Sequence, residues 1–372
     1  STATMAMEPN KSPFWLSKED VIQRGVPEGE LENYRRTYYQ LQHGVDVWYD
    51  RVAQHTFPTE FVVLSTLEAG SLSAGCKVTQ QNPGSKLRSD QQDALQAVWA
   101  RIDKAISLFG ETGAMVRFTT RSPKDAVMDT RSDSYVQQVR QLVIKDIERT
   151  GGLEQYDDAA KINFVLATFV KVCNKMLRVR DAGRAVGLLI KSQRVQQILK
   201  KQTAFGSFPR QTALCVRQWS AELAEHPEME LRVFVYNNEI TALSQYDTLV
   251  HYPNLCEQKE TVAERVKKFF YDAVREPLMT HNSYVMDVFV GADKVYIIEF
   301  FGFDVAISAC LFSWRDNRQQ LMSGPFEFRV VEAPLENPLL SLPARWEKVL
   351  KEIAFPTEPP SESSGGGAAS SS

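Results

Sequence analysis

Residues 284–314 read YVMDVFVGADKVYIIEFFGFDVAISACLFSW. Two runs within this stretch, Tyr284–Val290 and Lys294–Phe300, are rich in the β-branched and aromatic residues that favour strands. The link between them, Gly291-Ala292-Asp293, contains a glycine and is short enough for a tight loop. The stretch therefore predicts a β-hairpin.

Each strand of the predicted hairpin carries one acid where a strand would favour an apolar residue, Asp287 in the first and Glu299 in the second. Two carboxylates on neighbouring antiparallel strands can lie side by side, where they repel each other unless a cation lies between them or one is protonated. Such oxygen ligands suit a hard divalent cation. The pair predicts a magnesium site, and the alternative is that both acids face solvent on an edge hairpin.

The composition is that of an ordinary globular protein, with 372 residues of which 43% are hydrophobic and 24% are charged. The length allows two domains or one large one. A formal net charge of −3 argues against a general nucleic-acid binder, because neutralising phosphates needs a basic surface. We therefore expect no direct nucleic-acid partner.

The five cysteines are scattered singly, without a Cys-x-x-Cys pair, which argues against a zinc module or a disulfide framework. No apolar run approaches the length of a membrane span. The N-terminal residues lack the basic start and apolar run of a signal peptide. We expect a cytoplasmic protein without a membrane partner.

Strands and turns alternate in the second half of the chain, so the predicted class is α+β with mainly antiparallel sheets. We predict disordered tails at both ends and two lobes between them. The predicted segments are a tail at 1–12, an N-terminal lobe at 13–213 with a helical insertion at 127–183, a C-terminal lobe at 214–355 and a tail at 356–372.

Three segments of the first lobe have distinct local patterns. Apolar residues at three- and four-residue spacing predict a helix from Asp93 to about Phe109. Gly70–Asp90 is rich in Ser, Gly, Gln and Asn and is predicted to be a loop. Arg184–Leu199 is predicted to be a short strand followed by a helix.

Two places early in the chain put charge beside a predicted strand. Arg117 lies on such a strand, where its fork of donors would suit a phosphate, and the alternative is a surface arginine. The turn Arg121–Ala126 resembles a helix start with Ser122 as cap, to which Lys124 and Asp125 could add a cation and an orienting acid. The alternative is an ordinary capped helix start.

A second pair of arginines, Arg217 and Arg232, lies on predicted strands joined by a short acidic link. Strand alternation places Arg232 on the same face as Glu230. A buried Arg232 would need a partner, which could be that acid or a bound phosphate.

Common nucleotide-binding and catalytic motifs are absent from the sequence. It contains neither a Gly-x-x-x-x-Gly-Lys-Ser/Thr loop nor a Gly-x-Gly-x-x-Gly turn, and no nucleophile elbow or kinase signature. Cations on several strands and two carboxylates on a late hairpin are instead what an ATP-grasp site requires, because the triphosphate charge must be neutralised in a partly dry cleft. The pattern predicts an ATP-grasp-like cleft between two lobes.

Several segments, taken in order, resemble the cell division cycle protein 123 family of ATP-grasp proteins. They are VRFTTRSPKDA at 116–126, GLLIKSQRV at 187–195, VRQW at 216–219, ELRVFVYNNEITALSQYD at 230–247, QKETVAERVKKFF at 258–270 and the hairpin with LFSW at its end. The resemblance implies a two-lobed fold that binds ATP with magnesium. It also implies an assembly chaperone for eukaryotic translation initiation factor 2 that binds the gamma subunit, and we expect a monomer.

The resemblance implies nucleotide-binding roles for seven residues, which are Arg117, Ser122, Lys124, Asp125, Arg217, Trp219 and Arg232. Arg117 falls at the family's phosphate-contacting lysine. Arg217 and Trp219 match the strand that passes the adenine side. Asp287 matches the first metal-side acid, and Glu299 replaces the aspartate of the metal motif.

The chain departs from the family at this metal motif. The family has Asp-Phe-Asn-Pro-Phe-Gly, and this chain has Glu-Phe-Phe-Gly-Phe-Asp at 299–304. Phe301 thus replaces the asparagine that supplies a metal oxygen, and Asp304 follows three positions later. Two alternatives to the chaperone stay open: an active ATP-dependent ligase or transferase that modifies a protein or small-molecule acceptor, and a pseudo-enzyme binding module.

Overall fold

The computed structural model describes residues 15–82, 84–204, 212–279 and 281–356. The predicted tail at 1–12 and all but the first residue of the predicted tail at 356–372 lie outside the described residues. Its strands are β1 (Thr59–Val63), β2 (Ala114–Phe118), β3 (Ala213–Gln218), β4 (Glu230–Tyr236), β5 (Glu239–Gln245), β6 (Tyr284–Val290), β7 (Val295–Gly302) and β8 (Glu327–Arg329). They form a three-stranded small sheet, in the order β1-β3-β2, and a five-stranded large sheet, in the order β7-β6-β4-β5-β8. All neighbouring strands are antiparallel except β5 and β8, which confirms the predicted α+β class.

Helices make up most of the remaining described structure. The α-helices are α1 (Lys18–Gln23), α2 (Leu31–Leu41), α3 (Val45–Val52), α4 (Thr66–Gln80), α5 (Ser89–Ser107), α6 (Asp133–Arg149), α7 (Asp158–Met176), α8 (Ala182–Lys191), α9 (Gln193–Ala204), α10 (Ala221–Glu225), α11 (Pro253–Glu257), α12 (Lys259–Phe269), α13 (Arg318–Ser323) and α14 (Ala344–Ala354). The helix predicted from Asp93 corresponds to α5, which begins four residues earlier. No helix among the described residues is long and apolar enough to cross a membrane.

The predicted hairpin is formed by β6 and β7. The register places Asp287 directly opposite Glu299, with an irregularity in the pairing just after Asp287. Both acids are buried, because β6 lies between β4 and β7 and the small sheet approaches β7. The alternative in which both acids face solvent is therefore wrong.

The segment 127–183 is largely helical, as predicted, and contains α6 and α7. These helices pack against each other and against α14. Phe169 of α7 contacts Trp346 of α14, with the two ring centroids 4.9 Å apart, and both residues belong to the main hydrophobic core. This segment is therefore part of the core.

The predicted loop at Gly70–Asp90 is wrong, because most of it belongs to α4 and the start of α5. Ser65 and Glu68 form a capping box that begins α4. The small residues of α4 reflect close packing rather than a loop, since a Cβ on Gly75 would lie 3.3 Å from the Ile190 side chain.

The short strand predicted at the start of Arg184–Leu199 is also wrong. The aliphatic residues at 185–190 form the buried side of α8, and α9 follows after Ser192. A short run of buried aliphatic residues has no periodicity that separates a strand from a helix.

The predicted lobe boundary between residues 213 and 214 falls inside β3. This strand is the middle strand of the small sheet, between β1 and β2. One hydrophobic core also includes residues of both sheets, among them Val216 and Val288. The two sheets therefore face each other across a shared core.

Candidate functional site

A cleft of about 490 Å³, counting its solvent-open part, lies between the small and the large sheet. We call it the large cleft. It brings together six residues predicted from the sequence, which are Arg117, Ser122, Lys124, Arg217, Trp219 and Glu299. The other three, Asp125, Arg232 and Asp287, are not among the residues that line it.

Arg117 is neutralised by Glu299 across the cleft. Its guanidinium Nη2 donates to Glu299 Oε2 at 2.5 Å, and its Nε donates to the Phe118 carbonyl at 3.0 Å. Burial opposes ionisation of Glu299, but Arg117 outweighs burial and holds the pKa of this carboxyl at about 2. The pair joins β2 of the small sheet to β7 of the large sheet.

Lys124 is neutralised in the same way by Glu230. Its Nζ donates to the two carboxylate oxygens at 2.9 and 3.3 Å and lies 4.6 Å from the ring centroid of Tyr246. Burial acts to lower the pKa of Lys124, yet Glu230 and Tyr246 raise it above its ordinary value. The ammonium group therefore stays charged.

Arg217 is buried and lacks an acid partner within ion-pair distance among the described residues. Its Nη1 donates to the Ile298 carbonyl at 2.6 Å, and its Nε donates to Thr59 Oγ1 at 3.2 Å. The remaining nitrogen, Nη2, is buried and has no hydrogen-bond partner in the part of the chain that the structure describes. Burial, with the nearby Arg117, lowers the pKa of Arg217 to about 10, so the group is still charged at neutral pH.

Arg232 pairs with Asp287, its neighbour across the strands. Its Nε and Nη2 donate to the two Asp287 oxygens, both at 2.7 Å, and its guanidinium carbon lies 5.2 Å from the Phe301 ring centroid. Glu230, the acid on the same strand, forms its ion pair with Lys124 instead. The partner of Arg232 is therefore Asp287, which lies on the neighbouring strand β6.

The facing acids Asp287 and Glu299 are the only predicted metal ligands, and each is held by an arginine. The described residues contain no group of three or more His, Cys, Asp or Glu that could hold a metal ion. Magnesium is commonly bound by one or two carboxylates together with nucleotide phosphates. Asp287 and Glu299 could therefore hold magnesium only if phosphates supplied further ligands. Phe301 offers no oxygen, and Asp304 Oδ1 accepts from the Ala306 N–H at 2.7 Å.

Asp125 lies away from the large cleft and stabilises the start of α9. Its carboxylate accepts hydrogen bonds from Ser192 Oγ at 2.5 Å and from the Gln193 backbone N–H at 2.7 Å. The expectation that Ser122 caps a helix is wrong, because the turn forms a 3-10 helix, Lys124–Met128, that no side chain caps. Ser122 is instead a buried residue of the cleft wall.

Sequence reasoning missed the apolar part of the cleft wall, which includes Phe57, Met115 and Leu223. Met115 lies two positions before Arg117 on β2, so strand alternation could have identified it. Phe57 precedes β1 and Leu223 lies on the short α10, where no periodic pattern points to a cleft. A wall that combines apolar side chains with a few placed polar groups is typical of a small-molecule site.

Comparison with known proteins places this architecture in a family. A family model described as D123 matches residues 153–348, which is more than half of the chain. The structure of Cdc123 from Schizosaccharomyces pombe aligns with a TM-score of 0.54 at 16% sequence identity, over 78% of this chain and 97% of that one. The likeness shows that the two chains share a fold.

Curated relatives match over shorter stretches. The translation initiation factor eIF2 assembly protein of Xenopus laevis is 28% identical over 113 residues, which are 30% of this chain and 32% of that protein. The protein of the same name from Candida albicans is 30% identical over 112 residues, or 29% of this chain and 32% of that protein. The match thus spans about one third of the length of these relatives.

Proposed function

The chain belongs to the D123 family, and from this premise we propose that it is an ATP-binding assembly factor for translation initiation factor eIF2. Its curated relatives in Xenopus laevis and Candida albicans, which are eIF2 assembly proteins, support the assembly role. The residues that line the large cleft support the proposal that it binds a nucleotide. We further propose that the partner is the gamma subunit of the factor and that the protein acts in the cytoplasm, where translation is initiated.

The observation that carries the nucleotide proposal is the unpartnered Nη2 of Arg217. A buried guanidinium without an acid is costly, and an anionic ligand in the cleft would supply the missing acceptor. Trp219 lies on the same wall and offers an aromatic surface for a base. Arg117 and Lys124 add positive charge that is already balanced by Glu299 and Glu230.

Magnesium would be held by Asp287 and Glu299 together with the phosphates. When bound, it would neutralise phosphate charge in the cleft. Each acid would first have to release an arginine, since Arg232 binds Asp287 and Arg117 binds Glu299. The released guanidinium group of Arg117, which lines the cleft, would be free to donate to the phosphates.

Calorimetric titration with ATP, with and without magnesium, tests the site. We expect Arg217→Gln to weaken ATP binding about tenfold or more, because a hydrogen bond to a charged group contributes about 1.5–3 kcal/mol. The free energy of unfolding should stay level or rise, since the variant removes an uncompensated buried charge.

Arg140→Gln is the matched control, because Arg140 is a partly exposed arginine on α6, which packs on α7 and α14. Equal ATP affinity in Arg217→Gln and the parent chain would remove the nucleotide proposal. The partner is tested separately, by calorimetry with the purified gamma subunit, and the absence of binding there would leave a nucleotide-binding module without the assembly role.

A further inference from the structure

A second, smaller cavity of about 290 Å³, counting its solvent-open part, borders the hairpin end. We call it the small cavity. Its walls combine the C-terminal end of α2, the turn after β2 and the end of β7, including Gln40, Thr120, Arg121 and Phe301. Arg121 and Ser122 are consecutive, so the small cavity and the large cleft lie on either side of the same turn.

The small cavity has two polar groups without partners among the described residues. The Thr120 hydroxyl is buried and has no hydrogen-bond partner. Arg121 is only partly exposed, and no carboxylate lies within ion-pair distance of its guanidinium. Buried polar groups are normally paired, so this combination indicates that a ligand with acceptor oxygens completes the site.

Two further cations affect Arg121, or are affected by it, electrostatically. Burial lowers the pKa of Arg121, and Arg194 of α9 is the strongest charged contributor to that shift. Burial also lowers the pKa of Lys201, with Arg121 as the next cause. Arg194 and Lys201 are seven residues apart on α9, which places them on one helix face.

These three cations differ from Arg117 and Lys124 of the large cleft. Arg117 and Lys124 each bind a buried carboxylate, whereas neither Arg194 nor Lys201 forms an ion pair among the described residues. Glu299 acts on the pKa of Arg121 in the opposite direction to Arg194, and Arg117 already neutralises this acid. Uncompensated positive charge beside a cavity attracts anions.

The remaining polar wall of the small cavity is neutral. His43 Nδ1 lies 2.9 Å from the Tyr39 carbonyl and therefore donates to it. Burial lowers the pKa of His43 to about 4, so the ring is uncharged at neutral pH. With Gln40 beside it, this wall offers hydrogen bonds without a negative charge that would repel an anion.

We propose that Arg121 and the Thr120 hydroxyl form a second anion-binding site, which takes a small phosphate- or carboxylate-bearing ligand at the small cavity. Arg121 and the Thr120 hydroxyl would contact the oxyanion directly. Arg194 and Lys201 of α9 do not line the cavity and would add only to the positive field around Arg121. The site is independent of the large cleft, so the protein holds an anion even when the cleft is filled.

Calorimetric titration of the full chain with inorganic phosphate, and separately with succinate, tests the proposal at constant ionic strength. We expect one site, whose affinity falls about tenfold or more in Arg121→Gln and less in Arg121→Lys, which keeps the charge. The probe that binds with the higher affinity shows whether the site prefers a phosphate or a carboxylate. Arg140→Gln should bind like the parent chain, and thermal unfolding of each variant shows that it is folded.

Two results would overturn the proposal. One is equal anion affinity in Arg121→Gln and the parent chain, or no binding of either probe. The other is anion binding that Arg217→Gln weakens equally or that saturating ATP abolishes, because the anion would then occupy the large cleft. If the parent chain bound the anion at this site but did not bind ATP, only the nucleotide proposal would be rejected.

Discussion

Arg217 and Arg232 are both buried, yet they meet opposite electrostatic surroundings. Arg232 has a bidentate carboxylate partner in Asp287, whereas Arg217 donates only to neutral oxygens and keeps one nitrogen unpartnered. The residue type predicts a cation in each case. The partner depends on strand register, and the sequence neighbour Glu230 binds Lys124, which is 106 positions away.

The Arg232–Asp287 pair is expected to stabilise the large sheet as a unit. Arg232→Met should lower the free energy of unfolding by about 3–5 kcal/mol, because it leaves the carboxylate buried without a counter-charge. The double variant Arg232→Met/Asp287→Leu should lose much less, since it removes both charges. Chemical denaturation of the three proteins measures this. A single variant as stable as the parent chain would show that the carboxylate is not held in its charged form.

Helices and strands differ in how clearly their sequences predict them. The hairpin was predicted because its two runs and its loop are local features, and it was confirmed. The helix α4 was missed because its serines and glycines look like a loop. Those small residues make room for neighbouring helices, and the need for close packing is visible only when the neighbours are in place.

A pair of glycine substitutions in α4 tests this explanation. Gly75→Leu should lower the free energy of unfolding by about 1–3 kcal/mol through overpacking, because even a Cβ there would lie 3.3 Å from Ile190 Cγ2. Gly70→Leu, on the same helix, has no atom within 4 Å of the added Cβ and should be neutral or stabilising through helix propensity. Equal losses in both variants, measured by thermal unfolding, would contradict the packing argument.

The whole molecule also buries two neutral histidines where the N-terminal helices meet the large sheet. His43 follows α2, His281 precedes β6, and their ring centroids are 5.8 Å apart. Burial lowers the pKa of each to about 4, from an ordinary value of 6.5. The folded protein therefore binds fewer protons than the unfolded chain between these pH values.

Stability should consequently fall as pH decreases from about 6.5 to about 4, because protons bind the unfolded chain more tightly. Above pH 6.5 both histidines are neutral in both states and contribute nothing. His43→Phe should make the decline shallower, with the parent and variant curves running parallel between pH 7 and 9. Denaturation at a series of pH values measures both slopes, and an unchanged acid slope in the variant would refute the assignment.

The sequence alone determined the α+β class, the hairpin, most strands and the types of residue at the candidate site, because period-two alternation and turn residues are encoded locally. Only the tertiary structure decided which charges are neutralised. Strand register and sheet packing pair Arg117 with Glu299, Lys124 with Glu230 and Arg232 with Asp287. Among the described residues they leave Arg217 and Arg121 without acid partners, since the partner of a buried charge is set by contacts between residues far apart in the chain.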